Sequence, residues 1–234
     1  GIGQGSMLFI ASILLGTNNS LAGEYTTAIG LSALIYILID WGGQVTQRQI
    51  TIDNENASFF IIFALVRLPA LLMALVVISW LKIETPSNYG FVIDFLFFSL
   101  FGYALSIFNY SGYLDVKSRS STYGFFAFLN YILLAIYAAY CVTTKNDLNA
   151  AHSGLVNSVG MALTTLITIF SAKAHLSIKK STFDIAVFKK VFIEGFYVTL
   201  SQVPGQIMTR TLSLALLSSG SNTAAQFNFL KSAA

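Results

Sequence analysis

The sequence predicts an all-α protein, a polytopic bundle of transmembrane helices. Hydrophobic residues make up 55% of its 234 residues and charged residues 10%, and the mean hydropathy is +0.71. An ordinary soluble domain carries about 25% charged residues. A helix needs about 20 apolar residues to cross a bilayer core of roughly 30 Å. Six segments have that length and are bounded by polar or turn residues: 27–46, 59–81, 89–110, 123–142, 155–174 and 195–217.

Two shorter stretches lie at the ends of the chain. Residues 2–16 are consistent with a first span that lacks its beginning, so the six full segments are numbered spans two to seven. The last residues, AAQFNFLKSAA, are typical of the start of an eighth helix. We therefore expect this sequence to be the N-terminal part of a longer membrane protein.

The residues just before span seven show an amphipathic pattern. Apolar residues recur there at helical spacing, opposite two lysines: Ile185, Phe188, Val191 and Phe192 against Lys189 and Lys190. This pattern predicts a helix that lies on the membrane surface. An early start to span seven would explain the same pattern equally well.

The distribution of Lys and Arg predicts the orientation in the membrane. The loops after spans two, four and six, with their flanks, hold eight of these residues, whereas the loops after spans one, three and five hold two. Cytoplasmic loops carry the excess of positive charge in membrane proteins. The even-numbered loops, and with them the N-terminus, are therefore expected on the cytoplasmic side.

Span two carries a polar stripe along one face. Its residues follow one another at steps of three or four: Ser32, Tyr36, Asp40, Gln44, and Gln47 or Arg48. Residues at this spacing share one side of a helix, so the stripe should face the interior of the bundle or an aqueous cavity. Its last residues, Gln47 and Arg48, could equally lie at the level of the lipid headgroups.

Span three offers a partner for the aspartate of that stripe. Asp40 and Arg67 each lie about eight residues inside the same expected cytoplasmic boundary, on helices that run in opposite directions. A charge near the centre of a bilayer costs roughly 2.5–3.5 kcal/mol on insertion scales, so pairing is favoured. We predict an ion pair or a shared polar network, which either fixes helix packing or lines a cavity. Exchanging the two charges is expected to restore function lost in either single variant.

Span seven repeats the polar pattern. Gln202, Gln206 and Arg210 step by four, and Pro204 and Gly205 lie where a helix would kink or open. Arg210 is about seven residues from the external end, although its long side chain could still reach outward. Because a guanidinium group binds phosphate oxygens in a bidentate manner, Arg210 is the strongest single candidate for an anionic ligand.

Several classes of function are disfavoured by the sequence. The motifs of a nucleophile elbow, a zinc protease or a phosphate-binding loop are missing, and the loops are too short for a catalytic domain. His152, His175 and the single Cys141 stand apart, so neither a metal site nor a cofactor is expected. The net charge of +3 is too small and scattered to indicate nucleic acid as a partner.

Four stretches of the chain resemble a known family. The loop after the first helix reads LLGTNNSLAGEYTTAIGLSAL, and the end of the second helix reads ILIDWGGQVTQRQI. The exit of the fourth helix reads FNYSGYLDVKSRSSTYGFF. The seventh helix with its external turn reads IEGFYVTLSQVPGQIMTRTLSLALLSSGSNTAAQFNFLKSAA. In this pattern the chain is similar to polysaccharide flippases of the Wzx type, within the multidrug/oligosaccharidyl-lipid/polysaccharide exporter superfamily.

The resemblance implies a fold of 12 or 14 helices in two lobes around a central cavity that opens alternately to either side. On that basis, 1–174 would form the N-terminal lobe, with spans one to six. Residues 175–194 would be a cytoplasmic amphipathic connector, and 195–234 would begin the C-terminal lobe with span seven and part of span eight. The implied activity is translocation of an undecaprenyl-diphosphate-linked oligosaccharide, from the cytoplasmic to the periplasmic leaflet of the bacterial inner membrane, for O-antigen, capsule or exopolysaccharide assembly.

The residues already singled out take roles under that interpretation. Three arginines would balance the diphosphate: Arg48, Arg67 and Arg210. Four other polar residues would bind sugar hydroxyl groups: Asp40, Gln44, Gln202 and Gln206. Coupling to a proton or sodium gradient would use one of two carboxylates: Asp40, or Asp94 near the outer end of span four, which could instead lie at headgroup level. The alternatives are a cation-coupled multidrug antiporter, a membrane-embedded polysaccharide polymerase, and a structural membrane subunit.

Overall fold

The computed structural model describes residues 2–17, 21–53, 59–84, 89–116, 128–173 and 185–233. Within these ranges the chain is almost wholly helical and contains no strand, which confirms the all-α class. In hydrocarbon, a helix satisfies all its own backbone hydrogen bonds, so long apolar segments fold in this way. The described helices are α1 (Ile2–Gly16), α2 (Ala22–Asp40), α3 (Gly43–Asp53), α4 (Phe59–Glu84), α5 (Gly90–Phe98), α6 (Leu100–Ser106), α7 (Ser111–Val116), α8 (Leu129–Thr144), α9 (Ala150–Lys173), α10 (Ile185–Leu217) and α11 (Ser221–Ala233).

Helix α2 lies at the centre of the bundle. It packs against α1, α4, α5, α10 and α11, while α9 packs against α5, α6 and α8 on the far side of the core. Helix α1 fills the space between α8 and α11. The buried ring of Tyr25 contacts Phe95 edge to face, with 6.4 Å between ring centroids, and its hydroxyl group donates a hydrogen bond to the carbonyl of Leu134. One apolar core therefore joins α2, α5 and α8.

Three passages of the described chain are long and apolar enough to cross a membrane. They are Ala22–Thr51, Ile61–Glu84 and Ala150–Ala172. The outer face of α4 is exposed and apolar, with Met73, Val76 and Trp80 each at least 60% exposed. Such a large apolar surface is typical of a protein that contacts lipid. The structure is thus compatible with a helical membrane bundle, while the other predicted spans are shorter, broken or more polar.

Two predicted spans are interrupted. Span two was expected as one helix over 27–46, but α2 ends at Asp40 because Trp41 and Gly42 adopt left-handed backbone angles, with φ of 51° and 64°. Span four was expected over 89–110 and instead forms α5 and α6, which meet at Ser99. These interruptions matter because each one frees backbone groups that must find other partners inside the bundle.

Helix α10 is continuous from Ile185 to Leu217, so the amphipathic stretch forms one helix with span seven. Its residues Val187, Phe188 and Val191 pack against Phe63 of α4 and Ile50 of α3. This arrangement corresponds to the alternative of an early start to span seven. Phe188 and Val191 pack on protein, whereas Ile185 and Phe192 are exposed. The first ten residues of the predicted connector, 175–184, lie outside the described residues, as do Lys117 and Arg119 of the predicted cytoplasmic loops.

A polar contact layer joins α11 to the first turns of α2. The hydroxyl group of Ser221 donates to Glu24 Oε2 over 2.5 Å and accepts the backbone N–H of Gly23 over 2.8 Å. Deeper in the bundle, Asn228 Nδ2 donates to the hydroxyl groups of Thr26 and Thr27 over 3.1 and 3.4 Å. Hydrogen bonds of this kind hold helices together where lipid provides no hydrophobic driving force.

The close approach at Gly23 gives a test of this layer. A Cβ atom at Gly23 would lie 2.1 Å from the backbone oxygen of Ser221. We expect Gly23→Ala to lower the free energy of unfolding by about 1–3 kcal/mol, as overpacking does. Gly205→Ala is the matched control, because a Cβ atom there meets nothing within 4 Å. Thermal unfolding in detergent measures both variants, and equal midpoints would rule out the close packing.

Candidate functional site

The ion pair predicted between Asp40 and Arg67 is present. Arg67 Nη2 lies 2.5 Å from Asp40 Oδ1, and the arginine is 1% exposed. Arg67 Nε also donates to the backbone carbonyl of Asp40 over 3.1 Å. The second carboxylate oxygen of Asp40 accepts the backbone N–H of Gln44 over 3.2 Å. The carboxylate therefore joins α3 to α2 across the break at Trp41.

Arg67 serves a second helix break at the same time. Its Nη1 donates to the carbonyls of Ile107 and Asn109, over 2.9 and 3.0 Å, at the junction between α6 and α7. Carbonyls released from a helix inside a membrane protein need such donors. Four N–H groups of the guanidinium are thus engaged within the protein. Neither Arg67 nor Asp40 lines the two pockets described below. These contacts favour the alternative in which the pair fixes helix packing, since it joins two helix breaks. The ligand and coupling roles of Asp40 and Arg67 stay predictions.

Two further residues of the α2–α3 stripe, Tyr36 and Gln47, form hydrogen bonds inside the bundle. Gln47 Nε2 donates to the carbonyl of Asn109 over 2.8 Å, and Gln47 Oε1 accepts the backbone N–H of Gly112. Asn109 Nδ2 donates to the hydroxyl group of Tyr36 over 2.9 Å. Gln47 is therefore a buried partner of the α6–α7 junction.

A neutral polar network connects α2 with α6, α8 and α9. Asn157 Nδ2 donates to the hydroxyl groups of Ser32 and Ser99, over 2.9 and 3.0 Å. Its Oδ1 accepts a hydrogen bond from Asn130 over 3.2 Å, and Tyr103 donates to Ser32 over 2.7 Å. These bonds fix the helices that form the walls of the neighbouring pocket.

The first pocket, called the neutral pocket, lies between α2, α3, α6, α8 and α9. It has a volume of about 300 Å³. Hydroxyl and amide groups dominate its polar lining, and none of its lining residues is charged. The polar residues are Ser32, Tyr36, Gln44, Ser106, Asn109, Asn130, Tyr131, Thr164 and Thr165. Such groups both donate and accept hydrogen bonds, as do the hydroxyl groups of a sugar.

The second pocket, called the cationic pocket, adjoins the first along Ala33, Phe128 and Tyr131. It also has a volume of about 300 Å³ and lies between α1, α2, α8, α10 and α11. Two of its lining residues, Arg210 and Lys231, are cations, and no carboxylate lines it. Within the described residues, neither cation forms an ion pair. A cation without a counter-charge inside a membrane bundle costs free energy, so the two residues indicate a functional site.

Both cations lie near the middle of the bundle. Arg210 is seven residues before the end of α10, and Lys231 is ten residues after the start of α11. At 1.5 Å per residue these positions are about 10 and 15 Å from one end of the bundle. The contacts of Ser221 with Glu24 and Gly23 lie nearer to that end than either cation.

Arg210 packs against α2 at Gly30, where the absence of a side chain leaves room for the guanidinium group. A Cβ atom at Gly30 would lie 2.5 Å from Arg210 Nη1. Arg210 Nη2 makes a long contact of 3.5 Å with Gln206 Oε1, and its Nε is buried without a hydrogen-bond partner. The fork of the guanidinium thus retains donors for a ligand, in contrast to that of Arg67.

The other predicted site residues are found elsewhere. Arg48 pairs with Asp115 of α7 and is 51% exposed, and Asp94 pairs with Lys82 at the exposed junction of α4 and α5. Gln202 is exposed and lines neither pocket. The ligand and coupling roles assigned to these residues stay predictions. Sequence reasoning missed Lys231, although Asn228 and Lys231 follow each other at a helical step of three in the last segment.

The described residues contain no group of His, Cys, Asp or Glu side chains that could hold a metal ion. Comparison of the chain with protein-family models, with curated proteins and with solved structures gave no match.

Proposed function

We propose that this protein translocates an amphiphile with an anionic, sugar-bearing head group between the leaflets of a membrane. The observation that carries the proposal is the junction of the neutral pocket with the cationic pocket inside an apolar bundle. Sugar hydroxyl groups would bind the amides and hydroxyls of the first, among them Gln44. Phosphate oxygens would bind Arg210 and Lys231 in the second, next to Gln206.

The identity of the substrate extends this proposal through the family resemblance. We propose an undecaprenyl-diphosphate-linked oligosaccharide, carried from the cytoplasmic to the periplasmic leaflet of the bacterial inner membrane. In the orientation predicted from Lys and Arg, the contact layer between α2 and α11 is on the periplasmic side of the cations. The neutral pocket then extends from the cations toward the cytoplasmic side, because it includes Gln44 and the cationic pocket includes Gly30.

A cation-coupled multidrug antiporter is the second candidate. Its cavity would need carboxylates or other acidic groups to attract a cationic drug. Among the described residues, those lining the two pockets include two cations and no acid. This charge distribution favours an anionic substrate. Asp40 and Asp94 could serve as coupling carboxylates only if their ion pairs with Arg67 and Lys82 opened.

Reconstitution into liposomes tests the proposed function. The protein is incorporated with a fluorescent polyprenyl-diphosphate oligosaccharide, and an impermeant glycosidase reports the fraction of the sugar in the outer leaflet over time. We expect the protein to accelerate exchange between leaflets relative to protein-free liposomes, and not to accelerate exchange of phosphatidylcholine. Equal rates with and without protein would overturn the proposal, and proton-driven export of a cationic dye would favour the antiporter.

A further inference from the structure

An apolar groove lies on the outer surface of α1 and α8. It has a volume of about 540 Å³ and is lined only by residues of these two helices. Four of its lining residues are small: Gly5, Ser6, Ala135 and Ala139. The larger lining residues Phe9 and Ile136 are 50% and 59% exposed. A long hydrocarbon chain fits the shape and polarity of such a depression.

The groove and the cationic pocket lie on two sides of the same helix pair. Met7 of α1 and Tyr131 of α8 line the cationic pocket. Their immediate neighbours, Ser6 and Ile132, line the groove. Successive residues of a helix point about 100° apart, so the pair forms a wall one helix thick between the two spaces. The two spaces therefore adjoin at one end of the groove, which continues along α8 to Ala139.

We propose that this groove holds the hydrocarbon chain of the amphiphile whose anionic head group binds Arg210 and Lys231. The inference rests on the proposed function and adds where the lipid part of the substrate lies. A head group attached to a long apolar chain cannot enter the bundle completely, so the chain has to leave between two helices. The seam between α1 and α8 is one wall of the cationic pocket and carries the apolar groove on its outside. In the proposal this seam opens to let the link between head group and chain pass.

The charge of the cationic pocket and the shape of the groove together favour the hydrocarbon chain of the amphiphile over an ordinary membrane lipid. Lipid is expected on every outer face, but the exposed face of α4 presents large side chains such as Met73 and Trp80, which are 70% and 60% exposed. The α1–α8 face instead combines small residues with a position next to the cationic pocket. In lipid, contacts of this type gain energy from close packing and not from exclusion of water. The groove should thus select where the chain lies once the head group is bound.

Filling the groove tests the inference. Gly5→Phe and Ala139→Phe would occupy it, and the first has room because a Cβ atom at Gly5 meets nothing within 4 Å. Met73→Phe, on the exposed face of α4, is the matched control. The probes are farnesyl diphosphate, which has an isoprenoid chain, and inorganic diphosphate, which has none. Affinities are measured by calorimetry on the protein in nanodiscs.

We expect both groove variants to bind farnesyl diphosphate about tenfold more weakly than the wild type, equivalent to about 1.4 kcal/mol. Their affinity for inorganic diphosphate should be unchanged, and the control should bind both probes normally. Unchanged binding of farnesyl diphosphate by the groove variants would overturn the groove assignment, leave the anion site intact and indicate that ordinary lipid covers this face. Failure of the wild type to bind either probe would overturn the proposed function itself.

Discussion

Replacing Arg67 by alanine is expected to lower the free energy of unfolding by about 3–5 kcal/mol, the usual cost of removing one partner of a buried ion pair. The variant leaves Asp40 without its counter-charge, since Arg67 Nη2 lies 2.5 Å from Asp40 Oδ1. It also removes the donor for the carbonyls of Ile107 and Asn109. Two helix breaks would lose their common partner. Chemical unfolding in mixed micelles, or the yield of folded protein, measures the effect.

Two further variants define the origin of that loss. Arg67→Lys keeps the charge but cannot reach both breaks with one ammonium group, so most of the loss should remain. Arg48→Ala breaks the more exposed ion pair with Asp115 and should cost about 1 kcal/mol or less. If Arg67→Ala were as stable as Arg48→Ala, the assigned role at the two junctions would be wrong.

The charge exchange between Asp40 and Arg67 now has a different expected result. The sequence alone predicted that exchanging the residues would restore function. In the structure, Arg67 also donates to three backbone carbonyls, which belong to Asp40, Ile107 and Asn109. A carboxylate at position 67 cannot donate to any of them. We therefore expect the double variant with Asp40 and Arg67 exchanged to remain unstable, although the two wild-type residues form an ion pair.

Replacing Arg210 by alanine is expected to weaken binding of inorganic diphosphate by about 10- to 150-fold. This range corresponds to about 1.5–3 kcal/mol for a hydrogen bond to a charged group. The physical reason is that Arg210 lines the cationic pocket, has one long contact through Nη2 and has a buried Nε without a hydrogen-bond partner. Arg210→Lys should recover part of the affinity, because an ammonium group supplies charge without the bidentate fork.

Two other substitutions separate charge from position at this site. Lys231→Ala should also weaken diphosphate binding, and the double variant with Arg210→Ala should show whether both cations act on one ligand. Gly30→Ala places a methyl group 2.5 Å from Arg210 Nη1 and should displace the flexible guanidinium. We expect it to reduce affinity with little change in unfolding.

Met208→Ala is the matched control for these variants. Met208 lies two residues from Arg210 on the same helix and is 77% exposed. Calorimetric titration with inorganic diphosphate, together with thermal unfolding of each variant, distinguishes lost binding from lost folding. Wild-type affinity in the Arg210→Ala variant would show that Arg210 does not bind the ligand. The assignment of the cationic pocket as an anion site would then be contradicted.

The sequence by itself determined that this chain is helical and suited to a membrane, and that one face of α2 is polar. Those properties follow from the length, hydropathy and spacing of residues, which are local in the chain. The sequence also predicted that Asp40 and Arg67 lie at the same depth, because depth follows from counting residues along antiparallel helices. The pairing was predictable for the same reason.

Only the tertiary structure decided which cations face a pocket. The rotation of each helix about its axis depends on its neighbours, and it turns Arg67 into the core and Arg210 toward Gly30. The left-handed residues Trp41 and Gly42 end α2 inside the predicted span two, and hydropathy averaged over the span gave no sign of that break. Lys231 joins Arg210 only because α11 packs on α2, through contacts between residues about 200 positions apart in the chain.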